Sequence, residues 1–545
     1  MCGINGIIDL YKASEHINTI NKMNNLLKHR GPDGNGVWND ENIAIGHTRL
    51  SILDLTKSGH QPMLSNDSNY VISYNGEIYN FKELRQKLVN DGFTFNGNSD
   101  TEVILKYFEN FGIESLKFFE GMFAFAIWDR IKKCLYIARD RIGEKPCYYN
   151  YCNQKFIFSS EIKGILAAPW FKRKINKQAL ANLSIFPSAP DNLSIYDGIN
   201  SVPPGHFLKF SLGKVEIKKY WQLKFKNIRT NCIDILDEFS HLMKEKILNS
   251  TSSDVPIGLA LSGGIDSSFI GSQLVENNFK KLSSYCITSN EGHERSRAEN
   301  VAKIFNFKHK NFNYEINNLR VSEVIKFFDE PVINGAFFYS DFLMKSISKH
   351  VKVCLTGNGA DEIFAGYNTY SDLDVPRIPF INYFFKDPFQ SKLSFASHYF
   401  SLPFHKRRGI YYKKLAYQNF NKYFTKSFLK NIDFEYPSKI IDSASLECNA
   451  RDFLDTHLYT DLMICHRHGH CVIPDRSGMR FGLELRSPFL NHKIIEFASR
   501  IPNNFKIRSF LLKKIRKYII KKSLKRYLPK ELIFMNKLGF GYDLN

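Results

Sequence analysis

Residues 255–276 read VPIGLALSGGIDSSFIGSQLVE. An apolar run ends in Ser262-Gly263-Gly264, and a second apolar stretch follows it. A strand, a glycine turn and a helix account for that order. Glycines let a backbone approach phosphate closely, and the N–H groups of the turn and the helix start bind its charge. The turn lacks the Gly-Lys-Ser/Thr of a Walker A loop, and a glycine turn with no ligand would read the same way. The logic repeats at 352–367, KVCLTGNGADEIFAGY. Strand–helix alternation predicts a parallel, doubly wound α/β sheet. It begins after about residue 230, where CIDILDEFSHLMKEKILNS (232–250) reads as an amphipathic helix. From about residue 370 the chain is expected to be largely helical, so the second domain is set at 230–545.

Upstream the texture differs. NIAIGHTRLSI (42–52), YVISYNGEIY (70–79), GMFAFAIWD (121–129) and KCLYIARD (133–140) are β-rich runs punctuated by Gly, Asn and Asp. NFKELRQKLVNDG (80–92) and SDTEVILKYFENFG (99–112) carry helical periodicity. A layered α+β domain is expected over 1–210, closing in the Pro/Gly/Asn-rich stretch 187–206. Two domains also suit a chain of 545 residues.

Composition narrows the function classes. Hydrophobic residues make up 43% and charged residues 24%, a globular rather than a disordered profile. The net charge of +21 admits anionic substrates, nucleic acid or a membrane surface. No zinc-finger, RRM or KH signature accompanies it, so no nucleic-acid role is expected. Ten scattered cysteines argue for reduced thiols. No signal peptide and no long apolar span is read, so a cytoplasmic, membrane-free protein is expected.

The chain opens MCGING. Removal of Met1 would leave Cys2 with a thiol and a free amine on one α-carbon. A thiol attacks as thiolate, with an ordinary pKa near 8.5, and an α-amino group titrating near 7.7–8.0 is a matched base. Nucleophile and base then arrive together. Behind Cys2 come HRGPDG (29–34), RLSILDL (49–55), NGEIYN (75–80), SDTE (99–102), ARDRIGEKPCYY (138–149) and FSSEIKGIL (158–166). This series resembles the N-terminal-nucleophile glutamine amidotransferase domain, whose cysteine forms a γ-glutamyl thioester and releases ammonia. The resemblance implies glutamine as substrate, with Arg49 for its carboxylate and Asp100 for its ammonium. It also implies Asn75 and the Gly76 N–H as oxyanion donors, and Glu77 as a further glutamine contact. Read alone, Arg49 and Asp100 suit a surface ion pair, and Asn-Gly suits a hairpin turn.

The second half adds DEP (329–331), DRSGMRFGLELRSPFLN (475–491) and LPKELIFMNKLGF (528–540). With SGGIDSS and TGNGADEIFAGY, this order resembles the synthetase domain of glutamine-hydrolysing asparagine synthetases, across essentially the whole chain. The resemblance implies that ATP lies against Leu261, Ser262, Gly263, Gly264, Asp266, Ser267, Ile287, Thr356 and Gly357. Asp266 and Asp361 would hold Mg2+. A carboxylate acceptor, aspartate to asparagine, would be adenylylated and then attacked by ammonia passing internally. A homodimer is compatible with the family.

Several positions depart from that pattern. Asn358 and His293 stand where the family has acids, Ile473 where it has lysine, Asn491 where it has aspartate, and Arg297 also differs. The family's transition-state lysine falls on Leu512, leaving Lys513 and Lys537 as the nearest cations. On a helix, a one-residue shift turns a side chain by about 100°. Two alternatives follow: the same chemistry on another carboxylate, or a glutaminase-like or regulatory protein with a degenerate synthetase half. CHRHGHC (465–471) also offers zinc-type ligands, or simply a helix face carrying histidines.

Overall fold

A computed structural model describes residues 1–10, 12–190, 192–225, 232–279, 282–288, 293–314, 321–331, 335–371, 401–510 and 513–535. The first half holds two six-stranded antiparallel sheets. One orders Asn200–Ser201, Tyr148–Cys152, Lys155–Ser159, Gly3–Ile8, Ile43–Arg49 and Gly34–Asn39. The other orders Lys214–Lys219, His206–Ser211, Cys134–Arg139, Gly121–Asp129, Tyr70–Ile78 and Met63–Leu64. Their inner faces share one apolar layer that includes Ile4, Ile45, Val71, Ala124, Trp128 and Phe158. Helices cover the outer faces. Ile17–Leu27 packs on the first sheet, and Phe81–Asn90 and Asp100–Phe111 pack on the second. This is the expected layered α+β arrangement, the N-terminal-nucleophile hydrolase fold.

The second half is built on a five-stranded, fully parallel sheet. Its strands lie in the order Lys308–Asn313, Ser283–Thr288, Ile257–Ala260, Val353–Leu355, Glu484–Arg486. Chain order reverses between Ile257–Ala260 and Val353–Leu355, and ligands of doubly wound sheets bind at such a switch point, beyond the carboxyl ends of the strands. The loops leaving these two strands are SGG and TGNG, so topology alone sets both glycine motifs side by side. Most of the described chain after residue 400 is helical. The stretch around 512–516 departs from the helical expectation: Lys513–Arg516 is a strand paired with Ile507–Phe510. Four residues rich in Lys and Ile fit either period, and pairing with a neighbour decides. On a strand, adjacent side chains point to opposite faces rather than 100° apart. Among the described residues no helix is long and apolar enough to cross a membrane.

Candidate active site

Cys2 lies buried at the start of the strand Gly3–Ile8. Its N–H donates to Asn75 Oδ1 at 2.9 Å. That bond fixes the Asn75 amide with its oxygen toward Cys2 and its Nδ2 turned away. Nδ2 is buried and has no protein partner among the described residues, so its N–H groups are available to an added acceptor. Asn75-Gly76 is no hairpin turn. Both residues lie inside Tyr70–Ile78, paired with Ala124 and Phe123. Gly76 is required because a Cβ there would collide with Met122 O across the sheet. Burial pushes the Cys2 thiol up, against the N-terminal charge, the Leu50 N–H and Arg49. A raised thiol needs a base.

Arg49 and Asp100 form no surface ion pair; both are buried with separate partners. Arg49 donates to Thr56 O (3.0 Å) and to Asp54 O, which leaves its positive charge without a carboxylate on it. Asp100 stands in the first turn of Asp100–Phe111, whose N-cap is Ser99: the SDTE stretch is a cap that delivers an aspartate. Its Oδ2 accepts from Tyr74 OH (2.7 Å) and Ile78 N (3.0 Å). Burial nonetheless raises it to about 6. Glu77 is raised by burial as well, despite Arg486.

Arg486 belongs to the other half. Its Nη2 donates to Glu77 Oε2 (2.9 Å), and its Nε to Glu484 Oε1 (2.6 Å). Glu484 takes the Met1 ammonium at 2.9 Å. Burial alone would raise Glu484, but the N-terminal charge and Arg486 hold it at about 2. Arg30 makes the same junction: Nε donates to Cys2 O (3.1 Å), while Nη1 and Nη2 clasp Asp475 at 2.8 and 3.0 Å. The DEP motif also crosses. Asp329 accepts from Lys163 N and Glu330 from Ile195 N, at 3.0 and 2.8 Å. These pairings were not legible along the chain, because each partner lies far away.

At the switch point, Gly263 has φ +71°, and a Cβ there would meet Arg297 C at 2.6 Å. Ser262 Oγ accepts from Gly264 N (3.2 Å), and Ser267 Oγ donates to Gly264 O (3.3 Å). The loop is thus closed on itself at the N-terminus of Ile265–Glu276. Leu261 N donates to Tyr285 O (2.8 Å), and Leu261 and Ile287 are buried beside the loop. Gly357 passes so close that a Cβ would meet the Asp266 Cβ at 2.8 Å. Thr356 is tied to the last strand, N to Arg486 O (2.9 Å) and Oγ1 to Ser487 Oγ (3.0 Å).

Asp266 and Asp361 converge. One ammonium, Lys517 Nζ, lies 2.6 Å from Asp266 Oδ2 and 2.7 Å from Asp361 Oδ1. Burial lowers the Lys517 pKa, but the two carboxylates outweigh it and the net shift is upward. Two carboxylates sharing one focal point suit a hard divalent cation such as Mg2+. Lys517 was not among the sequence candidates. Lys513 opens the neighbouring strand, its side chain is outside the described ones, and Leu512 and Lys537 lie outside the described residues.

The departures resolve unequally. Asn491 caps His492–Arg500, its side chain accepting from Lys493 N at 2.9 Å, a role aspartate fills equally well. Ile473 is buried among Val324, Phe328 and Phe337. His293 opens the helix His293–Ile304. In CHRHGHC, Tyr412 OH donates to Cys465 Sγ (3.0 Å), and the His470 ring bonds Leu462 O (3.0 Å). Among the described residues, no three His, Cys, Asp or Glu side chains converge as a metal set.

Fold and site together fit the class of two-domain glutamine amidotransferases, with a buried thiol at the chain start and two glycine loops at a parallel-sheet switch point. Comparison with known proteins agrees. A glutamine amidotransferase domain profile matches residues 1–221, and an asparagine synthase profile matches 238–545. Asparagine synthetase 1 (glutamine-hydrolyzing) of Bacillus subtilis strain 168 is 30% identical, over 99% of this chain and 87% of that protein. Asparagine synthetase 3 of the same strain is 29% identical, over 98% and 86%. Amidase chry2 of Gibberella zeae is 25% identical, over 97% and 85%. The chain belongs to the asparagine synthase family, glutamine-hydrolysing ligases that use ATP.

Proposed function

We propose that the chain hydrolyses glutamine at Cys2 and uses the ammonia to amidate an ATP-activated carboxylate. The supporting observation is that both half-sites are built in one chain: a nucleophile with an aimed oxyanion donor, and two carboxylates focused beside a phosphate loop. With Met1 attached, the Cys2 nitrogen is an amide and cannot take a proton, so the working form begins at Cys2. Its amine then accepts the thiol proton, and Sγ attacks the glutamine carboxamide. Asn75 Nδ2 and the Gly76 N–H receive the oxyanion. Arg49 and Asp100 hold the carboxylate and ammonium of glutamine.

Asp266 and Asp361 would hold the Mg2+ of bound ATP, which would supply the charge for forming an acyl adenylate from the acceptor carboxylate with release of pyrophosphate. The loop Ser262–Ser267 holds the phosphates, with Leu261, Ile287, Thr356 and Gly357 as its borders. Met1, beside Cys2, packs in one apolar cluster with Leu50, Met122, Met479 and Val353 of the parallel sheet. We assign it to the passage of ammonia, because neutral ammonia crosses apolar surroundings and ammonium does not.

Relatives named for asparagine make aspartate the leading acceptor. A second carboxylate class is favoured by one observation: Ile473 is sealed among phenylalanines where the family places a lysine. Incubation with glutamine, ATP and Mg2+, with and without aspartate, tests both. Aspartate-dependent pyrophosphate and asparagine support the first reading. Wild-type turnover of other carboxylates with aspartate inert supports the second. Glutaminase activity with no pyrophosphate for any carboxylate overturns both.

A further inference from the structure

The two halves enclose a cavity of about 40 Å3 between them. Arg139, Tyr148 and Ser188 line it from the first half, and Glu330, Arg467 and Arg476 from the second. None of the residues proposed for glutamine, phosphate or metal lies on its described wall. Three guanidinium groups thus stand around one carboxyl. Arg139 is braced as Arg49 is: Nε, Nη1 and Nη2 donate to the carbonyls of Lys145, Val202 and Gly143 at 2.7, 2.8 and 2.9 Å. Those bonds fix its plane and set its charge against neutral partners. Arg476 is 2% exposed and lies over the Tyr148 ring, 5.8 Å from its centre. Its Nη1 makes no hydrogen bond among the described residues, although Glu161 Oε2 is 3.0 Å away. Glu330, the one acid on the described wall, accepts from Ile195 N at 2.8 Å, and burial pushes its carboxyl up.

We propose that this cavity binds a small oxyanion, the carboxylate of a small acid or inorganic phosphate, and that its occupancy is felt at Cys2. The volume sets the size of the ligand: about 40 Å3 is room for about three waters. That suits one carboxylate or phosphate group and excludes a nucleotide. Guanidinium groups offer paired N–H donors that match either oxyanion. A buried N–H without an acceptor is costly, and an anion beside Arg476 removes that cost. The cavity also reaches the nucleophile through three contacts. Arg476 Nη1 stands 3.0 Å from Glu161 Oε2, Glu161 Oε1 accepts from Arg30 Nη1 at 2.8 Å, and Arg30 Nε donates to Cys2 O at 3.1 Å. An anion that draws Arg476 toward itself loosens its hold on Glu161 and changes the share of that carboxylate left to Arg30. The inference goes beyond the amidation reading and needs neither ATP nor an acceptor.

Isothermal titration of the full-length protein tests it, with sodium phosphate and sodium glutamate as separate probes at constant ionic strength. Both probes also resemble ligands of the proposed catalytic sites, so the result is read from variants outside those sites. Ser188→Asp puts a carboxylate into the cavity, and Arg467→Gln removes a charge from its wall. Each should weaken binding of at least one probe about tenfold or more. Loss confined to phosphate or to glutamate identifies the source of the oxyanion, and loss of both shows a shared site. Equal affinities for both probes in the wild type and the two variants overturn the site. The probe that binds should also change kcat/KM for glutamine about fivefold or more in the wild type. In Ser188→Asp that response should vanish, with hydrolysis in the absence of probe unchanged. An equal response in the wild type and Ser188→Asp overturns the link to Cys2. Should Ser188→Asp not fold, Arg467→Gln decides both readings in the same way.

Discussion

The proposed glutamine site and the proposed acceptor side of the synthetase site handle charge in opposite ways. Around Cys2, every charge a free amino acid needs is present, buried and braced: Arg49 by carbonyls, Asp100 by Tyr74 and Ile78. The synthetase site is divided. Its phosphate and metal side is equally complete, with Asp266, Asp361 and Lys517 in contact. Its acceptor side carries Asn358 and an Ile473 sealed among aromatic rings. A zwitterion is gripped by its charges, and each buried charge left without a partner costs kilocalories. On the proposed reading, ammonia production and phosphate handling keep fixed electrostatics, while the acceptor side is where one architecture would be free to serve different carboxylates.

The comparison can be broken at its strongest point first. Cys2→Ala should lower glutamine hydrolysis by about a thousandfold or more, leaving ammonium-supported pyrophosphate release within about twofold. Equal loss of both in a kinetic assay would show that the halves do not hold separate chemistries. Asp361→Asn reverses the pattern, with pyrophosphate release down about a hundredfold and glutaminase turnover largely kept. A smaller effect sharpens the picture of Asp100. With its pKa at about 6, it loses its charge as pH falls through that value, while the glutamine ammonium stays charged. KM for glutamine should rise roughly tenfold per unit below about pH 6, and Asp100→Asn should flatten the profile. Because the folded pKa exceeds the ordinary 3.8, the folded state binds the proton more tightly. Its stability contribution therefore improves as pH drops from about 6 toward 4, opposite in sign to the loss of glutamine binding. The smallest effect belongs to Asn491→Asp. As one N-cap for another, it should move stability by no more than about 0.5 kcal/mol in denaturant melts and leave acceptor choice unchanged.

Much of the glutamine site was legible because its groups sit inside short motifs that also fold locally, as SDTE does by capping the helix that presents Asp100. The phosphate loop was legible for the same reason: strand, turn and helix are consecutive. Asn75-Gly76 was ambiguous, since the composition that suits a turn also suits a strand pressed against Met122 O. Lys517 was missed because the expected lysine was counted back from Arg516, which lands on Leu512, with 513–516 read as helix rather than as the strand paired with Ile507–Phe510. Its carboxylate partner Asp266 is 251 positions away. Arg486 and Glu77 are separated by 409, Arg30 and Asp475 by 445. No window along the chain contains both members of such a pair.

Those long separations also set a clock. The ribosome makes Cys2 almost first, yet the groups that balance Arg30 and Glu77 around it, Asp475 and Arg486, are made near the end. At translation speeds of about 5–20 residues per second, the wait is roughly 25–100 s. Throughout it, Arg30 has only its first-half carboxylate, Glu161, and Glu77 waits for Arg486.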